Sequence, residues 1–254
     1  MAAAHAPEAR KHLQAIREHE ETVARSMAEA MSLVPSSVLV PESGTASVTH
    51  LRIVVGAAQG FSGLHNERIV TGALALEGEA ETRQYLLIGQ RCISEFAARG
   101  QDSVWSANMA AHAADVPGLA SRIVDALFDS LESGAVQHVS IVYADPATPE
   151  NDLTVRQLMP FDFSRIARSR SPVAPLIMIP AVELIAQLVE EYVFTEICEA
   201  LELFAAEVQP AFKATVDERE RAKAEELAPY IAAALARKTV MKPLADDEIP
   251  VVGK

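Results

Sequence analysis

An α/β domain with a mostly parallel sheet, set between helical regions at both ends of the chain, is the fold class the sequence predicts. Short apolar runs rich in β-branched residues alternate with helical stretches through the middle of the chain, the pattern of parallel strands joined by crossover helices. The N-terminal stretch carries an apolar stripe at three- and four-residue spacing, and the region after residue 180 carries a heptad-like one. The 254 residues, half of them apolar, suffice for one large core with helical extensions and no disulfide or metal support.

In chain order, Pro7 to Met31 reads as a helix whose stripe includes Leu13, Ile16, Val23, Met27 and Met31. Pro35, Pro41 and Gly44 break it into a linker. Leu51 to Val55 reads as a first strand, followed by glycines 56, 60 and 63 and a helix from His65 to Leu76. Tyr85 to Ile88 reads as a second strand, ended by Gly89, with Cys92 to Ala98 helical. Leu119 to Leu131 shows the one-sided pattern of a helix packed on a sheet, and Val139 to Tyr143 reads as a further buried strand. Leu153 to Leu158 completes the strand set, stopped by Pro160. After Pro172, Pro175 and Pro180 a long helix is expected from Ala181 through Glu207. Its seam is Phe194, Ile197, Leu201, Phe204 and Val208, suited to packing along another helix. Asp217 to Glu226 is densely charged, Pro210 and Pro229 interrupt helical pattern, and the tail from Lys242 is expected to be loosely ordered.

The formal charge of −13 argues against nucleic acid as a partner, since phosphate contacts need a surplus of Lys and Arg. Acidic clusters such as Glu18 to Glu21 and Glu190-Glu191 read as solvated helix faces. Cys92 and Cys198 are far apart and form no CxxC, and His5, His12 and His19 stand seven apart, too far along a helix to share an ion; no metal site is expected. The N-terminus lacks the pattern of a secretory signal, and no apolar run is long enough to span a bilayer, so a soluble chain is expected.

The glycines after the first strand are the one place for enzyme chemistry. Gly56, Gly60 and Gly63 give GxxxGxxG in place of the dinucleotide GxGxxG, and no acidic residue ends the second strand to hold a ribose. A tight strand-to-helix turn explains the same glycines. Ser62 lies in a sequence one glycine short of the nucleophile elbow, and no Walker A loop, HExxH or EF-hand occurs. No catalytic residue and no cofactor is assigned.

A set of local matches points in another direction. Gln59 to Asn66 follows the first strand, with Gly60, Gly63 and Asn66 agreeing with an RGLCGGLN-like turn. Leu86-Leu87-Ile88-Gly89 is followed by Phe96 and Gly100; Val142-Tyr143 is followed by Thr154 to Pro160, with Gln157-Leu158-Met159-Pro160 near the end of a strand; Tyr192-Val193 leads to Ala205-Ala206-Glu207. In this order and spacing over residues 50 to 207, the chain resembles the gamma subunit of F-type rotary ATPases. It departs from that family where Met1 to Ala4 stands at the end of the family's first helix, and where Pro210 and the lack of an arginine interrupt an E-x-x-A-R-M-like stretch at Glu207 to Phe212.

The resemblance implies a three-layer, Rossmann-like domain inserted between N- and C-terminal helices that form an antiparallel coiled coil. It assigns residues 1–34 to a truncated N-terminal shaft helix, 48–170 to the α/β domain, 181–241 to the C-terminal shaft region and 242–254 to the tail. The implied role is a non-catalytic central stalk that couples ion flow through a membrane c-ring to ATP synthesis or hydrolysis in an α/β hexamer, with an epsilon-type subunit as a further partner. The complex would lie peripherally on the inner face of the cell membrane. The resemblance covers the ion-translocating variant of the family equally well. The apolar run Leu176-Ile177-Met178-Ile179 would contact a partner at the foot; a core-filling or edge-strand role is the alternative. A nucleotide- or NAD-binding enzyme, and an orphan relative without rotary function, remain open alongside.

Overall fold

Three of the long strands form where the sequence is apolar and β-branched, because such runs suit a surface buried on both faces, whereas the fourth is an edge strand with alternating exposure. In the computed structural model these are β1 (Thr49–Val55), β2 (Thr82–Ile88), β4 (His138–Tyr143) and β5 (Thr154–Met159). A three-residue strand, β3 (Trp105–Ala107), was not expected from the sequence. The helices are α1 (Ala2–Met31), α2 (Gly63–Ala75), α3 (Gln90–Ala98), α4 (Val116–Glu132) and α5 (Ala181–Leu203). The structure describes residues 2–39, 49–57, 63–76, 82–134, 136–144, 153–205, 218, 221–223 and 225–228, with the backbone alone at 2–10 and 63–65.

The strands make one five-stranded sheet in the order β3-β2-β1-β4-β5. β1 pairs in parallel with β2 and β4, β2 pairs in parallel with β3, and only the edge strand β5 runs antiparallel, against β4. From β1 through α2 and α3 the chain moves one way across the sheet; through α4 it returns past β1 to β4. Right-handed crossovers therefore place α2 and α3 on one face and α4 on the other, in keeping with α2 packing on α3 and α4 on α5. The expectation of a mostly parallel sheet with flanking helices holds.

The sheet's core is apolar. Leu51, Ile53, Val54 and Val55 of β1, and Leu86, Leu87 and Ile88 of β2, are shut off from water. Each such side chain contributes about 1.5–3 kcal/mol relative to exposure. At the strands' C-terminal ends, Gly89 has φ +97, and a Cβ there would stand 2.3 Å from the Gly56 carbonyl oxygen. Only glycine fits that approach.

Tertiary contacts divide the chain into two compact units, residues 1–212 and 213–254. The first holds the sheet together with α1 and α5. In the second, the described residues 218, 221–223 and 225–228 are helical and exposed, as expected of the densely charged run. Val208, Pro210, Pro229 and the tail from Lys242 lie outside the described residues.

Candidate functional site

Helices α1 and α5 are built to lie along each other. On α1, Leu13, Val23, Met27 and Met31 are buried; on α5, Ile185, Val189, Val193, Ile197 and Leu201 are, with Phe204 just beyond. The polar contacts between the two helices fix their direction. His12 faces Glu202, Arg17 Nε donates to Glu199 Oε1 at 2.9 Å, Tyr192 Oη donates to Glu20 Oε1 at 2.6 Å, and His19 Nε2 stands 2.8 Å from Glu191 Oε1. Numbers rise along α1 as they fall along α5, so the pair is antiparallel. Of the expected seam, Ile197, Leu201 and Phe204 are buried, whereas Phe194 is only half-buried and lines a cavity.

The second half of α5 is enclosed nearly all round, which an amphipathic reading does not anticipate. Within it stand three carboxylates at three-residue spacing: Glu196 (1% exposed), Glu199 (7%) and Glu202 (1%). Spacing of three keeps side chains on neighbouring sides of a helix, so they form a slowly turning stripe. Arg165, from a 3₁₀ turn at Phe163–Arg165, donates through Nη2 to Glu196 Oε1. Arg156, from β5, reaches the same oxygen at 3.4 Å and Glu199 Oε2 at 3.0 Å. Glu199 thus lies between Arg156 of the sheet and Arg17 of α1, so one carboxylate ties all three elements together. Arg165 also lies over the Tyr192 ring, 5.6 Å from its centroid, and Arg156 over Tyr143 at 5.9 Å.

The three carboxyls differ in their electrostatics. Burial pushes the Glu199 pKa up, but hydrogen bonds and charge from Arg17 and Arg156 outweigh it and hold the group below the ordinary range. Burial raises the Glu196 pKa, only partly offset by Arg165 and Arg156. Burial likewise raises Glu202, opposed by the charge of His12. Tyr192 is raised by burial and by its bond to Glu20. Burial pushes the Cys92 and Cys198 thiols up to about 12, as expected of inert thiols. The sequence reading missed the Glu196–Glu199–Glu202 stripe. The available signal was three acids embedded in an otherwise apolar helix, but such spacing ordinarily marks a solvated face.

The apolar run before α5 has no regular secondary structure. Leu176 is 95% exposed and Met178 94%, while Ile177 and Ile179 are half-buried. The segment leaves the end of α1, where the Ser169 amide donates to the Ala28 carbonyl at 3.1 Å and Arg168 Nη1 donates to the Val34 carbonyl at 3.3 Å. It turns into α5 at Pro180.

The turn after β1 is already occupied by internal bonds. The Gly56 amide donates to the Ile88 carbonyl at 2.9 Å, and the Ala57 amide donates to Asn66 Oδ1 at 2.9 Å. A Cβ on Gly56 would meet Cys92 Cβ at 2.6 Å, so this glycine serves the close approach of α3 to β1. Gly60 and Ser62 lie outside the described residues. Among the described residues no group of three His, Cys, Asp or Glu could hold a metal ion, and no helix is long and apolar enough to cross a membrane.

A comparison with curated protein sequences gives no match. Among solved structures, the chain is similar to one in the central stalk and c-ring of the Tetrahymena thermophila mitochondrial ATP synthase. That pair has 16% identity and a TM-score of 0.53, covering 86% of this chain and 99% of the other. A chain of the Euglena gracilis mitochondrial ATP synthase rotor is more distant, at 12% identity and a TM-score of 0.42, covering 94% of this chain and 98% of the other. The Tetrahymena likeness shows a shared fold. A family model described as ATP synthase matches residues 1–215, and the chain therefore belongs to the ATP synthase gamma-subunit family.

Proposed function

We propose that this chain is the non-catalytic central-stalk subunit of an F-type ATP synthase, coupling ion flow through a membrane ring to ATP synthesis or hydrolysis in an α/β hexamer by rotation. The observation that carries the reading is the antiparallel α1–α5 pair joined to the sheet through Glu196 and Glu199. A shaft that transmits torque must not slip against the domain that receives it. Directional ion pairs resist sliding, whereas apolar contacts slide at low cost. In this reading the pair belongs to an antiparallel coiled coil. Rotation of an asymmetric shaft acts by favouring one open or closed state at each catalytic site, a differential binding effect.

Leu176 to Ile179 is the partner contact at the foot, facing the c-ring or an epsilon-type subunit; the exposure of Leu176 and Met178 supports this over a core role. The complex would sit peripherally on the inner face of the membrane. The internal bonds of the Gly56 and Ala57 amides weigh against the nucleotide-binding alternative.

The test is co-purification of the tagged chain from its own cells with mass spectrometry of its companions. Recovery of α, β and epsilon-type subunits is the expected result. Recovery of the intact, folded chain alone would remove the rotary role and favour an orphan interaction protein.

A further inference from the structure

Between α1, the start of α4 and α5 lies a cavity of about 750 Å³, within the size range of small-molecule sites, about 300–1,000 Å³. Its walls are largely apolar: Ile16 from α1, Val116 and Pro117 from α4, and Phe194 from α5. Glu202 contributes the acidic group. It is 1% exposed, and its Oε2 has no hydrogen-bond partner among the described residues. His12 Nδ1 stands 3.7 Å from Oε1, beyond hydrogen-bonding reach. Glu196 also leaves one oxygen without a donor, but its other oxygen takes Arg165 and Arg156. Among the described residues, no guanidinium pairs with Glu202. Among the described residues this buried carboxylate meets only the distant His12, an arrangement that weakens the fold, and a cation entering the cavity would supply the donor it lacks.

We propose that this cavity binds small amphipathic amines, the ammonium donating to Glu202 and the hydrocarbon lying against Ile16, Val116 and Phe194. A charge-assisted bond to an enclosed carboxylate is stronger than a neutral one, and it discriminates sharply where water is excluded. The other charged groups of the lining do not reverse this preference. Lys11 is exposed, so water screens its ammonium, and His19 is held by Glu191. The chain's charge of −13 attracts cations to the mouth. This site is independent of the stalk reading, and its failure would leave that reading intact.

The experiment uses the full chain and three matched probes: 1-naphthylmethylamine, 1-naphthalenemethanol and 1-naphthoate, each titrated by calorimetry. The amine is expected to bind about tenfold tighter than the alcohol, the effect of exchanging a neutral for a charge-assisted hydrogen bond, and the carboxylate more weakly than either. Glu202→Gln should bring the amine down to the alcohol's affinity. Glu190→Gln, on an exposed residue, removes the same net charge and should leave it unchanged. Ala113→Trp fills the cavity from its α4 side and should abolish binding of amine and alcohol alike; circular dichroism confirms that each variant is folded. No amine binding, equal affinity for amine and alcohol, or amine binding that survives both Glu202→Gln and Ala113→Trp would overturn the proposal. Should Glu202→Gln fail to fold, the probe series on the native chain and on Ala113→Trp decides alone.

Discussion

The centre of the sheet and the second half of α5 are equally shut off from water and are held by opposite chemistry. Around β1 and β2 the enclosed side chains are Leu, Ile and Val. On α5 the enclosed set includes Glu196, Glu199 and Glu202 beside Ile197, Leu201 and Phe204. Apolar burial is non-directional and fixes compactness more than register. Paired charges in a low-dielectric interior are directional and tolerate little displacement, at the expense of desolvation. In a protein whose proposed work is mechanical, the sheet supplies the body and the ionic stripe sets how the shaft is keyed into it.

The sharpest way to break this comparison is to remove one cation. Arg156→Met leaves Glu196 and Glu199 without their sheet-side partner and should cost about 3–5 kcal/mol, read by urea denaturation; a cost below about 1 kcal/mol, the range of exposed pairs, would show that the stripe is solvated in practice. The apolar halves should be equivalent. Leu201→Ala on α5 and Leu51→Ala on β1 should each cost about 2–5 kcal/mol, and a much smaller value at Leu201 would mean the helix pair is not part of the same core.

Acid titration separates the carboxylates. Glu199 is lowered in the fold, so its ionisation contributes stability above its ordinary value of 4.5, and that stability is lost as pH falls through the lower folded value. Glu199→Gln should therefore be most damaging at neutral pH and progressively less so below 4.5. Glu202 is raised, so its contribution is present below 4.5 and lost as pH rises through the folded value. Glu202→Gln should gain on the native chain at neutral pH, and the gain should vanish in acid. Opposite slopes in thermal melts across pH 3 to 8 (about the span of carboxylate titration) are the expected outcome, and parallel slopes would contradict it. The smallest effect on the fold is expected at the exposed run: Met178→Asp should change stability by only about 0.5 kcal/mol or less while reducing recovery of the subunit in the assembled complex, and unaltered assembly would count against the partner contact.

Much of the fold was legible because its long elements carry strong periodic signals. β1, β2, β4 and β5 announce themselves as β-branched or apolar runs bounded by glycine, proline or acids, and α1, α4 and α5 as one-sided stripes. β3 was not legible. Trp105-Ser106-Ala107 is too short for any period, and it is a strand because β2 offers Leu86 to Ile88 as an open edge. Phe194 fits the heptad spacing yet lines a cavity, opposite Val116 and Pro117 at the start of α4. The acidic stripe was visible as residues but not as a buried site, because Arg17, Arg156 and Arg165 reach it from sequence distances of 182, 43 and 31 residues.

The sequence by itself determined the fold class, the order of the long helices and strands, and the family, because hydrophobic period and turn residues are local properties that each segment carries alone. Only the tertiary structure decided which acids are enclosed, which arginines compensate them and that Glu202 has none among the described residues. A carboxylate's burial depends on what the rest of the chain brings against it, and nothing in Glu196, Glu199 or Glu202 as residues distinguishes them from the solvated Glu190 beside them.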